Sequence, residues 1–254
     1  MKTGLALSGG GARGISHLGI LKALEEFNVK IDYISGTSTG ALIGTLYAYG
    51  LTPDKILEII INTRFFSSLR PAWTWKGLIN LNSLSDILLK LIPENNFNCL
   101  KIPVTITATN LNRGRVEYFT EGALIPAILA SCCVPLVFNP VELDGEVYVD
   151  GGLMDNLPSK PLRENCSMLI GSHCNGISSQ FDVKNFRSVL ERSLLMAING
   201  NTVISKNMCD ILIEPPGLGN LSVFDVSKAR DVYDIGYKFV RTNFSAEDFK
   251  GKVD

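Results

Sequence analysis

The pentapeptide Gly36-Thr37-Ser38-Thr39-Gly40 constrains this chain more than any other feature, because of what flanks it. A short apolar run, Ile31–Ile34, precedes it. A small-residue run at helical spacing follows from Ala41 to about Tyr49, with Gly50 placed as its stop. A G-x-S-x-G sequence between strand and helix demands a sharp turn that lifts the serine side chain clear of the backbone. Side chains two residues to either side would clash in such a turn, and Gly36 and Gly40 have none. The helix that follows directs its free N–H groups and partial positive charge back toward the serine. Taken without its flanks, the same pentapeptide reads as a small-residue turn for close packing.

A second strand–glycine–helix unit opens the chain. Thr3–Leu7 is apolar, Gly9-Gly10-Gly11-Ala12-Arg13-Gly14 follows, and Ile15, Leu18, Leu21, Ala23, Leu24 and Phe27 then recur at helical spacing. The glycines lack the Lys-Ser/Thr of a Walker loop and match G-x-G-x-x-G only loosely. Consecutive glycines suit an oxyanion hole better, since their N–H groups can converge on a carbonyl oxygen with no side chain in the way. Arg13 either steadies this loop or meets a phosphate head group. Farther on, Thr52-Pro53 opens a helix through Ile61, and another starts near Ser83 and stops before Pro93. Pro103–Thr109 and Arg115–Thr120 read as antiparallel strands across Asn112-Arg113-Gly114. Met168–Gly171 and Ile211–Ile213 read as short buried strands, with helices from about Val183 past Ile198 and near Lys228–Val240. This alternation predicts an α/β fold with a mainly parallel sheet covered on both faces. With no linker or repeat, residues 1–254 are expected to form a single domain.

A serine nucleophile needs a base. The two histidines, His17 and His173, fit poorly: His17 falls inside the first helix, and an order Ser38, Asp150, His173 needs more strands before the nucleophile than residues 1–38 can supply. Val147–Val149 leads into Asp150-Gly151-Gly152, an aspartate at a strand end in open surroundings. A free aspartate, with a pKa of about 3.9, is a weak base, and burial would raise it. Asp144, in a hairpin-like Asp-Gly turn, and Asp155, just beyond the glycines, are its rivals.

Composition narrows the function classes. Lys+Arg number 24 against Asp+Glu 25, which excludes a nucleic-acid binder's basic surface. The six cysteines are scattered with no C-x-x-C pair, so reduced, mostly buried thiols are expected, and no metal site. No apolar stretch is long enough for a signal peptide or a membrane span, so a cytoplasmic protein is expected, peripheral on membranes at most.

The chain resembles the patatin-like phospholipase family of serine lipid acyl hydrolases. Four blocks carry the resemblance in order: Gly9–Gly14, Gly36–Gly40, Ala130-Ser131-Cys132-Cys133-Val134-Pro135, and Asp150-Gly151-Gly152. They lie within residues 9–152, and the last third of the chain carries no such block. The resemblance implies a three-layer α/β/α sandwich and a Ser-Asp dyad without histidine. Ser38 would be the nucleophile and Asp150 its activating partner. The glycine loop, residues Gly9, Gly10, Gly11, Ala12, Arg13 and Gly14, would form the oxyanion hole, and no cofactor or metal would be needed. Cys133 departs from the pattern, standing where the family usually has a smaller residue such as Ala.

The reaction this implies is ester hydrolysis through an acyl-enzyme. A lipid substrate also requires contact with a lipid surface. The segment from Arg64 to Lys76 holds Phe65, Phe66, Trp73 and Trp75 among three cationic residues and is the candidate, with packing on the core as the alternative. An acyltransferase or thioesterase using the same elbow, and a catalytically inactive lipid-binding protein, are the competing functions.

Overall fold

The structure is a computed structural model, and it describes residues 1–63, 81–135, 137–177, 181–183, 186–221, 223 and 225–250. The aromatic segment containing Phe65, Phe66, Trp73 and Trp75 lies outside the described residues.

Strand β1 (Thr3–Leu7) leads through the glycine loop and a short 3-10 turn (Gly11–Ile15) into α1 (Ser16–Glu26). Strand β2 (Tyr33–Thr37) turns at Ser38 into α2 (Thr39–Tyr49), which Gly50 ends in the left-handed conformation. The Thr52 side chain caps α3 (Pro53–Asn62) by accepting from the Lys55 N–H. Helix α4 (Asn82–Leu91) precedes β3 (Val104–Asn110), β4 (Arg115–Phe119), α5 (Leu124–Cys132), β5 (Val141–Leu143) and β6 (Glu146–Asp150). The chain continues through α6 (Lys160–Arg163), β7 (Met168–Ser172), α7 (Phe186–Asn207), β8 (Ile211–Ile213) and α8 (Ala229–Asn243).

Eight strands form one sheet in the order β5-β6-β3-β2-β1-β7-β8, with β4 also paired to β3. The run β3-β2-β1-β7-β8 is parallel, and β4, β5 and β6 join antiparallel. Both faces are covered, and the period-2 alternation of the strands decides which side chain goes where. Leu5, Leu7, Ile34, Met168, Ile170 and Ile213 enter the large core shared with α1, α2, α3 and α8. Ala6, Tyr33, Leu169 and Leu212 face the opposite way, onto Leu157 and Leu162. The result is the three-layer α/β/α sandwich, with a sheet that is parallel at its centre and mixed at one side.

Register then sets the stage for the site. Leu7 pairs with both Gly36 and Ser172, so the glycine loop leaves the sheet beside the β2 turn. Thr37 pairs with Thr107, and the next residue of β3, Ala108, pairs with Asp150. Ser38 and Asp150, remote in sequence, thereby reach the same level of the sheet with only β3 between their strands.

Candidate active site

Ser38 is held in a conformation that few non-glycine residues adopt, with φ 53° and ψ −123°. The reason lies in its neighbours. A Cβ on Gly36 would stand 2.5 Å from the Ala41 nitrogen, and one on Gly40 would collide with the Leu7 carbonyl oxygen. The turn therefore closes only with glycine at both places, as the G-x-S-x-G pattern requires. The Ser38 N–H donates to Ser131 Oγ at 2.8 Å, and that hydroxyl donates to the Thr107 carbonyl at 2.6 Å. Helix α5 thus braces the turn from the side, through a residue in the third sequence block to which the sequence had given no role.

Asp150 ends β6 and caps the short 3-10 turn Gly151–Leu153, its Oδ1 accepting the Gly152 N–H at 2.8 Å. Its own N–H donates to Cys133 O, and its carbonyl accepts from Thr109 Oγ1. Only 6% of the residue is exposed, against 8% of Ser38. Burial pushes the Asp150 carboxyl from 3.8 up to about 6, and hydrogen bonding from the Ser38 hydroxyl and the Gly152 N–H opposes that rise. Oδ2 has no partner at ordinary hydrogen-bond geometry among the described residues. The Ser38 hydroxyl nonetheless stands close enough to the carboxyl to oppose its rise.

Within the glycine loop most N–H groups are already committed. Gly9 donates to Asn156 O at 3.1 Å, Ala12 to Val223 O at 2.8 Å and Arg13 to Gly10 O at 3.2 Å. The N–H groups of Gly10 and Gly11, by contrast, donate no such backbone hydrogen bond among the described residues. Arg13 resolves in favour of steadying the loop. It is buried, and its guanidinium donates to Leu221 O, Gly219 O, Gly176 O and Asn175 Oδ1, leaving it tied to three backbone carbonyls.

The rival bases are placed elsewhere or otherwise engaged. His17 is fully buried, with Nε2 2.9 Å from Ser8 O and Nδ1 2.7 Å from Ser172 Oγ. A carbonyl only accepts, so the ring proton sits on Nε2, and burial lowers the pKa to about 4. His173 Nδ1 faces Glu214 at 2.8 Å, and Lys206 approaches the same carboxylate oxygen at 2.7 Å. Asp155 accepts from Tyr118 Oη at 2.7 Å and Ser205 Oγ at 3.3 Å, while its carbonyl receives the Thr37 hydroxyl. Asp144 occupies the β5–β6 turn with φ 51°. Cys133, the departure noted in the sequence, is buried with Sγ 3.1 Å from Ala130 O and 3.3 Å from Tyr148 O. Burial pushes its thiol up to about 12, so it packs as a small neutral side chain.

Sequence reasoning missed one more residue of this cluster. Asn156 is buried between the two glycine segments, its Oδ1 2.6 Å from where a Cβ on Gly9 would stand and 2.9 Å from the same point on Gly152.

Known proteins resemble this chain in sequence and in fold. An uncharacterized NTE family protein of Mycobacterium tuberculosis is 33% identical over 178 residues, covering 69% of this chain and 49% of that protein. Lysophospholipase NTE1 of Cryptococcus neoformans is 36% identical over 172 residues, covering 64% of this chain and 10% of its own length. The chain thus spans half or less of the length of these curated relatives. The crystal structure of VipD from Legionella pneumophila matches 96% of this chain and 68% of its own, with a TM-score of 0.59 at 15% identity, which is a likeness of fold. The family model for patatin-like phospholipases matches residues 5–163, a span that takes in the glycine loop, the Ser38 turn and Asp150, and the chain belongs to that family.

Proposed function

We propose that this chain is a lipid acyl hydrolase of the phospholipase A type, working through Ser38, Asp150 and a covalent acyl-enzyme. One observation carries the reading: a serine on a strained strand-to-helix turn lies beside a buried carboxyl whose pKa burial moves up to about 6. A carboxylate tuned to that range is charged at neutral pH yet basic enough to accept a proton. The names of relatives such as lysophospholipase NTE1 support an ester of a lipid as substrate.

In this mechanism Ser38 Oγ attacks the acyl carbonyl carbon as its proton passes to Asp150. The N–H groups of Gly10 and Gly11, with the N-terminus of α2, stabilise the oxyanion. Collapse of the tetrahedral intermediate expels the alcohol or lysolipid, which takes the proton from Asp150. Water then attacks the Ser38 ester, and the fatty acid leaves. Residues 1–254 are taken as one catalytic unit. We place its contact with a lipid surface on the outer face of α7, where Phe186, Val189, Leu190, Met196, Val203 and Ile204 are exposed at helical spacing. That helix joins the site region directly, since Asn201 Nδ2 donates to Leu153 O, just beyond Asp150-Gly151-Gly152.

The test is hydrolysis of p-nitrophenyl esters of increasing chain length and of a phospholipid, in wild type, Ser38→Ala and Asp150→Asn. Wild-type turnover is expected, with a loss of about 10³-fold or more in Ser38→Ala and of about 10²–10⁴ in Asp150→Asn. Turnover that survives Ser38→Ala refutes the nucleophile. A folded wild type that cleaves none of these substrates but transfers acyl groups to an added alcohol or thiol favours a transferase.

A further inference from the structure

Among the buried polar atoms that have no hydrogen-bond partner among the described residues, two of opposite kind belong to side chains beside Gly152, close to Ser38. Asn156 Nδ2 is a donor, and Asp150 Oδ2 is an acceptor. Leaving such atoms unpaired is costly; Asp150 Oδ2 has the Ser38 hydroxyl as its neighbour until that oxygen is acylated, whereas Asn156 Nδ2 has no partner among the described residues. Their side chains share one neighbourhood. Asp150 Oδ1 stands 3.0 Å from the point that a Cβ on Gly152 would occupy, and Asn156 Oδ1 stands 2.9 Å from the same point. Asn156 also abuts Gly9, whose own missing Cβ would lie 3.2 Å from Ser38 Cβ. The backbone of this segment is fixed by the nucleophile's neighbours on both sides. Asn156 O accepts the Gly9 N–H, and the preceding carbonyl, Asp155 O, accepts the hydroxyl of Thr37. An asparagine held this firmly, with its donor unspent, is placed to serve a transient guest.

The chemistry of the acyl-enzyme names that guest. Once the alcohol has left, a single water must be held so that it donates to the base and turns a lone pair to the ester carbon. A water that accepts from Asn156 Nδ2 and donates to Asp150 Oδ2 satisfies both atoms at once. We infer that Asn156 positions the hydrolytic water for deacylation; this rests on the acyl-enzyme reading above. In the step, the water oxygen bonds to the acyl carbon while its proton moves to Asp150. The carbon–Oγ bond of Ser38 then breaks, Oγ takes the proton back from Asp150, and the free acid departs. Asn156 gains and loses no atom; it orients the water.

The two half-reactions separate this role from a structural one. Asn156→Leu keeps the approximate volume and removes the donor, and Asn156→Ala removes the side chain beyond Cβ. Rapid mixing of each with p-nitrophenyl butyrate should give a p-nitrophenol burst at close to the wild-type rate. Steady-state turnover should then be slower by about 10²-fold. Intact-mass measurement should show a butyryl adduct accumulating on Ser38. A burst that slows by the same factor as turnover overturns the proposal, as does unchanged turnover. Two variants that both fail to fold assign Asn156 to architecture and overturn it equally. A folded wild type that shows neither burst nor adduct marks instead the failure of the acyl-enzyme reading, and this inference falls with it.

Discussion

At Ser38 the backbone sits where a side chain costs about 1–3 kcal/mol, and the surrounding contacts hold it there. Glycine bears no such cost at positive φ. Ser38→Gly should therefore abolish turnover while melting at a higher temperature than Ser38→Ala, by the equivalent of about 1 kcal/mol or more. Thermal unfolding of the two variants checks this, and equal melting temperatures would contradict a strained turn. Arg13 is the opposite case, a charged residue that reads as functional and is spent on architecture. Its donors close residues 217–221 and 174–176 around the glycine loop. Arg13→Lys cannot supply that planar set of donors. It should lower stability by about 1–3 kcal/mol, as expected when partly buried carbonyls lose their partners, and it should reduce turnover on short and long esters alike. A loss confined to phospholipids would instead place Arg13 at a head group.

Among the elements, α7 carries an exposed apolar face. Phe186 is 81% exposed and Ile204 70%, at the two ends of one helical face. If that face meets a lipid surface, Phe186→Glu with Ile204→Glu should weaken co-sedimentation with phosphatidylcholine vesicles and lower phospholipid turnover about tenfold or more. Turnover of p-nitrophenyl butyrate should stay unchanged, and equal losses on both substrates would remove α7 from the interface. The elements also show where sequence is readable. Strands with clean alternation and helices opened by Thr52-Pro53 or closed by Gly50 stand where their local chemistry puts them. Helix α5 was harder to see, because it has no side-chain cap and carries Pro126 in its first turn. Nothing local links Ser131 on α5 to the Ser38 N–H, or Asn156 to Gly9 and Gly152. Those contacts exist only after the sheet has set its register. For the same reason the sequence left Asp150 open to rivalry from Asp155. Only the bonds from Tyr118 and Ser205 show that the second carboxylate is already engaged.

For the whole molecule, two buried groups tie stability to pH in opposite ways. Burial lowers His17 to about 4, so between about 6.5 and 4 the unfolded chain binds a proton that the native state excludes. Its contribution is present at neutral pH and is lost as pH falls through that window. Asp150 is raised from 3.8 to about 6, so its contribution is present below 3.8 and is lost as pH rises through 6. Asp150→Asn should accordingly be more stable than wild type at pH 7.5, by up to about 3 kcal/mol, with the difference vanishing near pH 4. Melting curves at the two pH values test the sign. In the proposed mechanism the same carboxyl limits activity from the other side, because only its charged form accepts a proton. The central claim is that Asp150 activates Ser38, and the most direct measurement is the rate at which a fluorophosphonate labels the protein between pH 4.5 and 8, with the adduct mapped by peptide mass spectrometry. The account predicts one labelled residue, Ser38, at a rate that climbs through about pH 6 and collapses in Asp150→Asn; a label on another residue, or a Ser38 rate that Asp150→Asn leaves unchanged, would contradict it.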